Sequence, residues 1–212
     1  MTFAELKNRV AVVNLGRSDS ETLDKAGEAI NWVLCEYLPI KGLKPFLKTT
    51  DLTTTAEQEY IDLPGDFSGL KIAQVLQDDG SYSTMSDMMW EDTENSDTGE
   101  PSYKMILPSS TGWRLYLRPI PDDVYTIRIW YYAKQTELTN DDDEPILSVI
   151  YGDGPIISGA TWRLAVELEI ESAIPKWEQI FHLVDLPSLL QWQESFSLQG
   201  YKKYSWLDNP YK

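Results

Sequence analysis

Apolar residues recur every three or four positions at both ends of this 212-residue chain and every second position in its middle. Any fold must therefore pass from helix to sheet and back again. Phe3, Leu6, Val10 and Val13 keep helical spacing behind Thr2-Phe3-Ala4-Glu5, in which Thr2 accepts from the third helical N–H and Glu5 reaches back. Gly16 is the predicted stop. Ser18-Asp19-Ser20-Glu21 repeats the capping pattern and opens a second face, Leu23, Ala26, Ile30, Val33 and Tyr37, closed by Pro39 and Gly42. Residues 1–38 thus predict a helical hairpin. After Asp153-Gly154-Pro155, with proline at the first helical position, Ile157, Ala160, Leu164 and Leu168 share a face. Trp177, Ile180, Phe181 and Val184 form another behind Pro175. Pro187 is predicted to kink or end that helix, leaving Leu189–Phe196 as one more helical piece.

Between these ends the period is two. Trp113, Leu115 and Leu117 alternate with Arg114, Tyr116 and Arg118, and Tyr125, Ile127, Ile129 and Tyr131 alternate with Thr126, Arg128, Trp130 and Tyr132. Pro119, Pro121, Asp122 and Asp123 separate the two runs with turn chemistry. Tyr103–Leu107 is a third run, stopped at Pro108. Together these predict antiparallel strands with one apolar face. The other face, Arg114, Tyr116, Arg118, Arg128, Trp130 and Tyr132, is an unusual one to leave in water; it is the candidate subunit interface, to be covered by a neighbouring subunit or by the chain's own helical domain. Upstream, Phe46–Thr50, Gln58–Leu63 and Leu70–Gln77 read as strands around Pro64-Gly65-Asp66 and Asp78-Asp79-Gly80. Met85, Met88, Met89 and Trp90 sit in a polar, acidic stretch and predict a short helix near 86–92 with a small satellite core.

Neither helical end can bury its stripe alone, so the two are expected to pack together. The fold class is α+β. Residues 1–43 and 145–196 make a helical bundle, 44–144 an inserted antiparallel β domain, and 197–212 an extended tail. Gly200 and Pro210 break helix in that tail, where Tyr201, Tyr204, Trp206 and Tyr211 stand beside Lys202 and Lys203. Residues 139–144, four acids in six positions, lack the glycine and ligand spacing of a calcium loop and read as a solvated linker.

The formal charge of −16 is concentrated. Residues 51–153 hold 21 acidic and 6 basic side chains, a surface that repels phosphate and disfavours nucleic-acid binding there. One cysteine, Cys35, excludes an internal disulfide and a cysteine-based zinc site. No apolar leader opens the chain, and no stretch approaches the roughly 20 apolar residues of a membrane helix. His182, the single histidine, falls off the Trp177–Ile180–Val184 stripe and is placed at a surface rim. Nucleotide-binding glycine loops and zinc-helix motifs are missing. The expectation is no enzyme, no metal and no cofactor. Exposed tryptophan and tyrosine on a β domain leave open a carbohydrate-binding module or another interaction domain.

Several short motifs, in order, resemble the head–tail adaptor (connector) proteins of tailed bacteriophages, including tail tubular protein A-like and podovirus portal adaptors. They are Tyr60-Ile-Asp-Leu-Pro-Gly-Asp-Phe67, Leu70–Val75, Trp90, Gly99-Glu100-Pro101-Ser102-Tyr103, Trp113-Arg-Leu-Tyr-Leu117, Pro119, Pro121-Asp122 and Tyr125–Tyr132, followed by Leu138 and Gly159-Ala160. The resemblance implies a non-enzymatic virion protein at the head–tail junction, assembled in the host cytoplasm. It implies a ring, typically of twelve copies, beneath the portal protein, extending the DNA channel and carrying the next tail or nozzle protein. DNA would pass without sequence-specific binding, and no membrane is involved. The tail, through Tyr201, Lys202, Lys203, Tyr204, Trp206 and Tyr211, would grip the portal.

Overall fold

A computed structural model describes residues 1–89 and 96–205, with side chains through Ser195. The chain divides into two compact units, Met1–Pro45 together with the chain from Gln135 onward, and Phe46–Lys134.

In the helical unit, Thr2 caps α1 (Phe3–Asn8) as its sequence predicts: its hydroxyl accepts from Glu5 N–H at 3.3 Å, and its own N–H donates to Glu5 Oε2 at 2.9 Å. The remaining free N–H groups of the first turn find acceptors 140 residues away in sequence. Phe3 N–H donates to the Asp143 carbonyl at 2.8 Å and Ala4 N–H to that of Asp141 at 3.0 Å. Lys7 pairs with Asp141 at 2.6 Å. Residues 139–144, expected as a solvated linker of the β domain, are therefore a fixed part of the helical unit. Leu138 is buried beside them, its backbone held both ways by the Asn31 amide at 2.9 and 3.0 Å.

The second helix, α2 (Ser20–Asn31), is capped by Asp19 rather than Ser18: the carboxylate accepts from Thr22 N–H at 2.9 Å. A carboxylate is the better partner for a helix N-terminus, where the backbone dipole favours negative charge. Next come α3 (Leu38–Ile40), a short α4 (Ile146–Ile150) and α5 (Gly154–Glu167). The last helical run is α6 (Ile174–Gln179) followed by α7 (Leu186–Ser205). Among the described residues three π turns interrupt these helices, at Arg9–Val13, Trp32–Tyr37 and Ile180–Asp185. The third lies just before Pro187, where the Leu186 N–H reaches five residues back to the Phe181 carbonyl. Pro187 falls in the first turn of α7, where a missing N–H costs little, so it neither kinks nor ends the run. Gly200 does not end it either; a lone glycine costs a helix only about 1 kcal/mol, and α7 continues to Ser205. Ala26, Ile30 and Val33 face Ala160, Leu164 and Phe181 in a core without solvent exposure. Gly159 lets Phe181 and Val33 approach the α5 backbone.

The β unit is a sandwich. Its described strands are β1 (Leu47–Thr53), β2 (Tyr60–Asp62), β3 (Phe67–Leu76), β4 (Tyr82–Thr84), β5 (Ser86–Asp87), β6 (Tyr103–Ser109), β7 (Gly112–Arg118) and β8 (Thr126–Ala133). They form two four-stranded sheets, ordered β1-β8-β3-β4 and β2-β7-β6-β5. Leu115 and Leu117 from one sheet meet Ile127, Ile129 and Tyr131 from the other, with Phe67, Ala73 and Met85 between. Where a helix was expected near 86–92, residues 86 and 87 are strand; residues 90–95, with Trp90, lie outside the description. Met85 belongs to the main core and not to a satellite. Pro108 continues β6 instead of stopping it. Among the described residues β6 has no ladder partner beyond Lys104 on the side away from β7, so a missing N–H there is harmless.

Candidate interaction surfaces

The six arginine and aromatic residues singled out from the strand pattern do not share a face. Arg114, Tyr116 and Arg118 lie on β7, in one sheet; Arg128, Trp130 and Tyr132 lie on β8, in the other. Strands adjacent in sequence need not be neighbours in one sheet, and here the turn at residues 119–123 carries the chain across the sandwich. A single aromatic platform of the kind a carbohydrate module uses is therefore not formed by these six. Their charges are neutralised locally. Arg114 donates to Asp62 at 2.8 Å and stacks on the Tyr60 ring at 4.0 Å. Arg128 forks onto Asp51 at 2.7 and 2.8 Å and covers Tyr82 at 4.2 Å. Arg118, buried, reaches Glu59 at 2.8 Å. The Arg128 fork holds the Asp51 carboxyl below the ordinary aspartate range. Trp130 stays 39% exposed at the centre of its sheet, between Thr49 and Ile72.

Lys48 and Lys104 are also tied, to Asp66 and Asp87, and the β unit keeps an acidic excess. It gathers where β1 and β3 finish and β8 begins. Asp78, Asp79 and Glu100 line a cleft of about 630 Å³ there, with Tyr82 and Tyr125 as its aromatic walls. Tyr125 donates to Asp122 at 2.6 Å, and that hydrogen bond pushes its phenol up to about 12.

The helical unit carries a different surface, which the sequence pattern did not reveal. In an α-helix Trp32 and Tyr37 would point about 140° apart. The π turn closes bonds to the fifth residue instead, and their rings meet at 5.2 Å. The third π turn brings Phe181 and His182 alongside. His182 lies 5.1 Å from Trp162, 5.0 Å from Phe181 and 6.1 Å from Tyr37, ring to ring. His182 is thus half-buried in an aromatic cluster and not a bare rim residue. Arg163 sits over Trp32 at 5.2 Å and Lys41 over Tyr37 at 4.6 Å. A smaller cleft of about 260 Å³ adjoins Trp32, walled by Glu28, Glu36, Glu137 and the buried Cys35.

Of the tail residues, Tyr201, Lys202, Lys203 and Tyr204 fall on the last turns of α7, beyond the described side chains. Trp206 and Tyr211 lie outside the described residues. Among the described residues no helix is long and apolar enough to cross a membrane, and no group of three or more histidine, cysteine or carboxylate side chains is placed to hold a metal.

Compared with known proteins, residues 1–186 match the family model described as SU10 adaptor protein. No curated protein matches the chain.

Proposed function

The chain belongs to the SU10 adaptor protein family, a family of structural phage proteins, and from that membership we propose that it is a ring-forming head–tail adaptor of the virion. Copies, typically twelve, dock beneath the portal protein, extend the DNA channel and offer the platform on which the next tail protein assembles. The observation that carries this reading is the family match across both units of the chain. The surfaces described above agree with it, since their chemistry suits protein partners. Tryptophan, tyrosine and arginine dominate binding energy at protein interfaces, and an acidic exterior near a DNA conduit repels phosphate.

Within this reading Trp130 and Tyr132 belong to contacts between subunits. The carboxy-terminal residues Tyr201, Lys202, Lys203, Tyr204, Trp206 and Tyr211 engage the portal, and the lysines favour an acidic rim on it. Removing the chain from the phage that encodes it tests the function. Filled heads without tails are expected; particles with complete tails overturn the proposal. Deleting residues 198–212 tests the docking segment. A truncated chain that stays folded but no longer joins portal-containing particles supports it, and one that joins them normally refutes it.

A further inference from the structure

We propose that the aromatic face of the helical unit is a docking surface for a second copy of this chain, and that it receives the acidic end of that copy's β unit. The inference deepens the ring reading and rests on it. Trp32, Tyr37, Trp162 and His182 are half-buried and already packed ring to ring, so little side-chain freedom remains to be lost on docking. Ile40 and Leu183 are exposed aliphatic residues, at 70% and 72%, one three positions from Tyr37 in sequence and the other next to His182. A face of this composition, fixed aromatics with exposed aliphatic neighbours, has the make-up of an interface core.

Charge selects the occupant. In the β unit five cations are each held by a carboxylate. Lys41 and Arg163, at the aromatic face, lie over rings and have no ion-pair partner among the described residues. The complement is present in the same chain: Asp78, Asp79 and Glu100 line the cleft beside Tyr125, with Asp122 and Asp123 next to it, and none of the five is in a salt bridge among the described residues. Glu28, Glu36 and Glu137 flank Trp32 on the Cys35 side and repel an acidic partner that slides that way, which fixes its register. A contact between two different patches of one chain is head-to-tail, and repeated by rotation it closes a ring.

Full-length variants in the phage test this, with the copies of the chain per particle as readout and thermal melts of the purified proteins as the folding control. Lys41→Glu with Arg163→Glu, and separately Asp78→Lys with Asp79→Lys, should each lower incorporation at least tenfold. All four substitutions together should return it to within about twofold of the natural chain, because the charges are again opposite. Normal incorporation of either pair, or no recovery in a folded quadruple variant, overturns the contact. Carbodiimide coupling of natural particles gives a second readout that needs no variant. A bond from Lys41 to Asp78 or Asp79 of another copy is expected; Lys41 joined only to a different protein overturns the proposal. The ring reading fails separately, if the natural chain is not present in several copies per particle.

Discussion

Gly159 sits mid-way along α5 with an ordinary helical backbone, so alanine there meets no conformational barrier and should favour the helix by about 1 kcal/mol. Space opposes it. A Cβ at this position would lie 2.9 Å from Phe181 Cε2, 3.1 Å from its Cζ and 3.1 Å from Val33 Cγ2. Phe181 cannot retreat freely, because it is fully buried, stacks on Trp162 at 6.1 Å and meets Tyr37 at 5.2 Å. Forcing one methyl into such a core typically costs about 1–3 kcal/mol. The strain exceeds the helix gain, and Gly159→Ala should destabilise the helical unit by roughly 1 kcal/mol, up to 2 if Phe181 stays in place. Denaturant unfolding followed by circular dichroism measures it. Phe181→Leu should be destabilising by itself and should relieve the alanine, giving a favourable coupling of about 1 kcal/mol in the double mutant. Gly159→Ala at or above natural stability would refute the reasoning, since it would mean the ring yields at no cost.

Tyr125 and Tyr131, with phenols pushed up to about 12, should ionise late in an ultraviolet titration, and Tyr125→Phe should remove one late phenol. Folding holds these protons more tightly than the unfolded chain does, so their contribution is complete below pH 10 and is lost as the pH rises towards 12. Asp51 works in the opposite sense: its lowered carboxyl contributes above the ordinary aspartate range and loses that contribution on acidification, so Asp51→Asn should flatten the acid limb of a stability profile. The pair is partly exposed, so solvent screening keeps the effect at neutral pH small. Asn31→Ala leaves the Leu138 N–H and carbonyl without their partners and should cost the helical unit about 1–3 kcal/mol in a melt. Trp130→Ala should leave the isolated chain folded and weaken its incorporation into particles; unchanged incorporation would remove Trp130 from the subunit contact.

Much of the architecture was legible because hydrophobic period reports secondary structure directly. The Thr2 cap, the Ala26–Ile30–Val33 face and the alternation in β7 and β8 all stand where the pattern puts them. Three features escaped for physical reasons. Period two says that β7 and β8 are strands but not which sheet each joins, so spacing alone puts Arg114 and Arg128 on one face, whereas a turn separates them. A π turn breaks the 3.6-residue period, so the meeting of Trp32 with Tyr37, and of His182 with Trp162, has no signature in spacing. The segment 139–144 docks on α1 mainly through backbone carbonyl groups, which every residue possesses, and through one ion pair, Lys7–Asp141, whose partners are 134 positions apart, so local composition carries no sign of it. The tail residues Trp206 and Tyr211 lie outside the described residues, and their assignment rests on composition alone.

The bonds from Phe3 and Ala4 to Asp143 and Asp141 also bear on the order of synthesis. The first helix leaves the ribosome with its amino-terminal donors open and must wait for the whole inserted unit to be made before their acceptors exist. Residues 46–134 are contiguous and can close as soon as they emerge. Residues 1–45 stay dependent on α5, which is complete only at Glu167. The unit written first is thus finished last, and ribosome-bound chains halted near residue 175, so that the chain has left the exit tunnel only to about residue 140, should show a protease-resistant β unit behind an amino-terminal segment that is still cleaved.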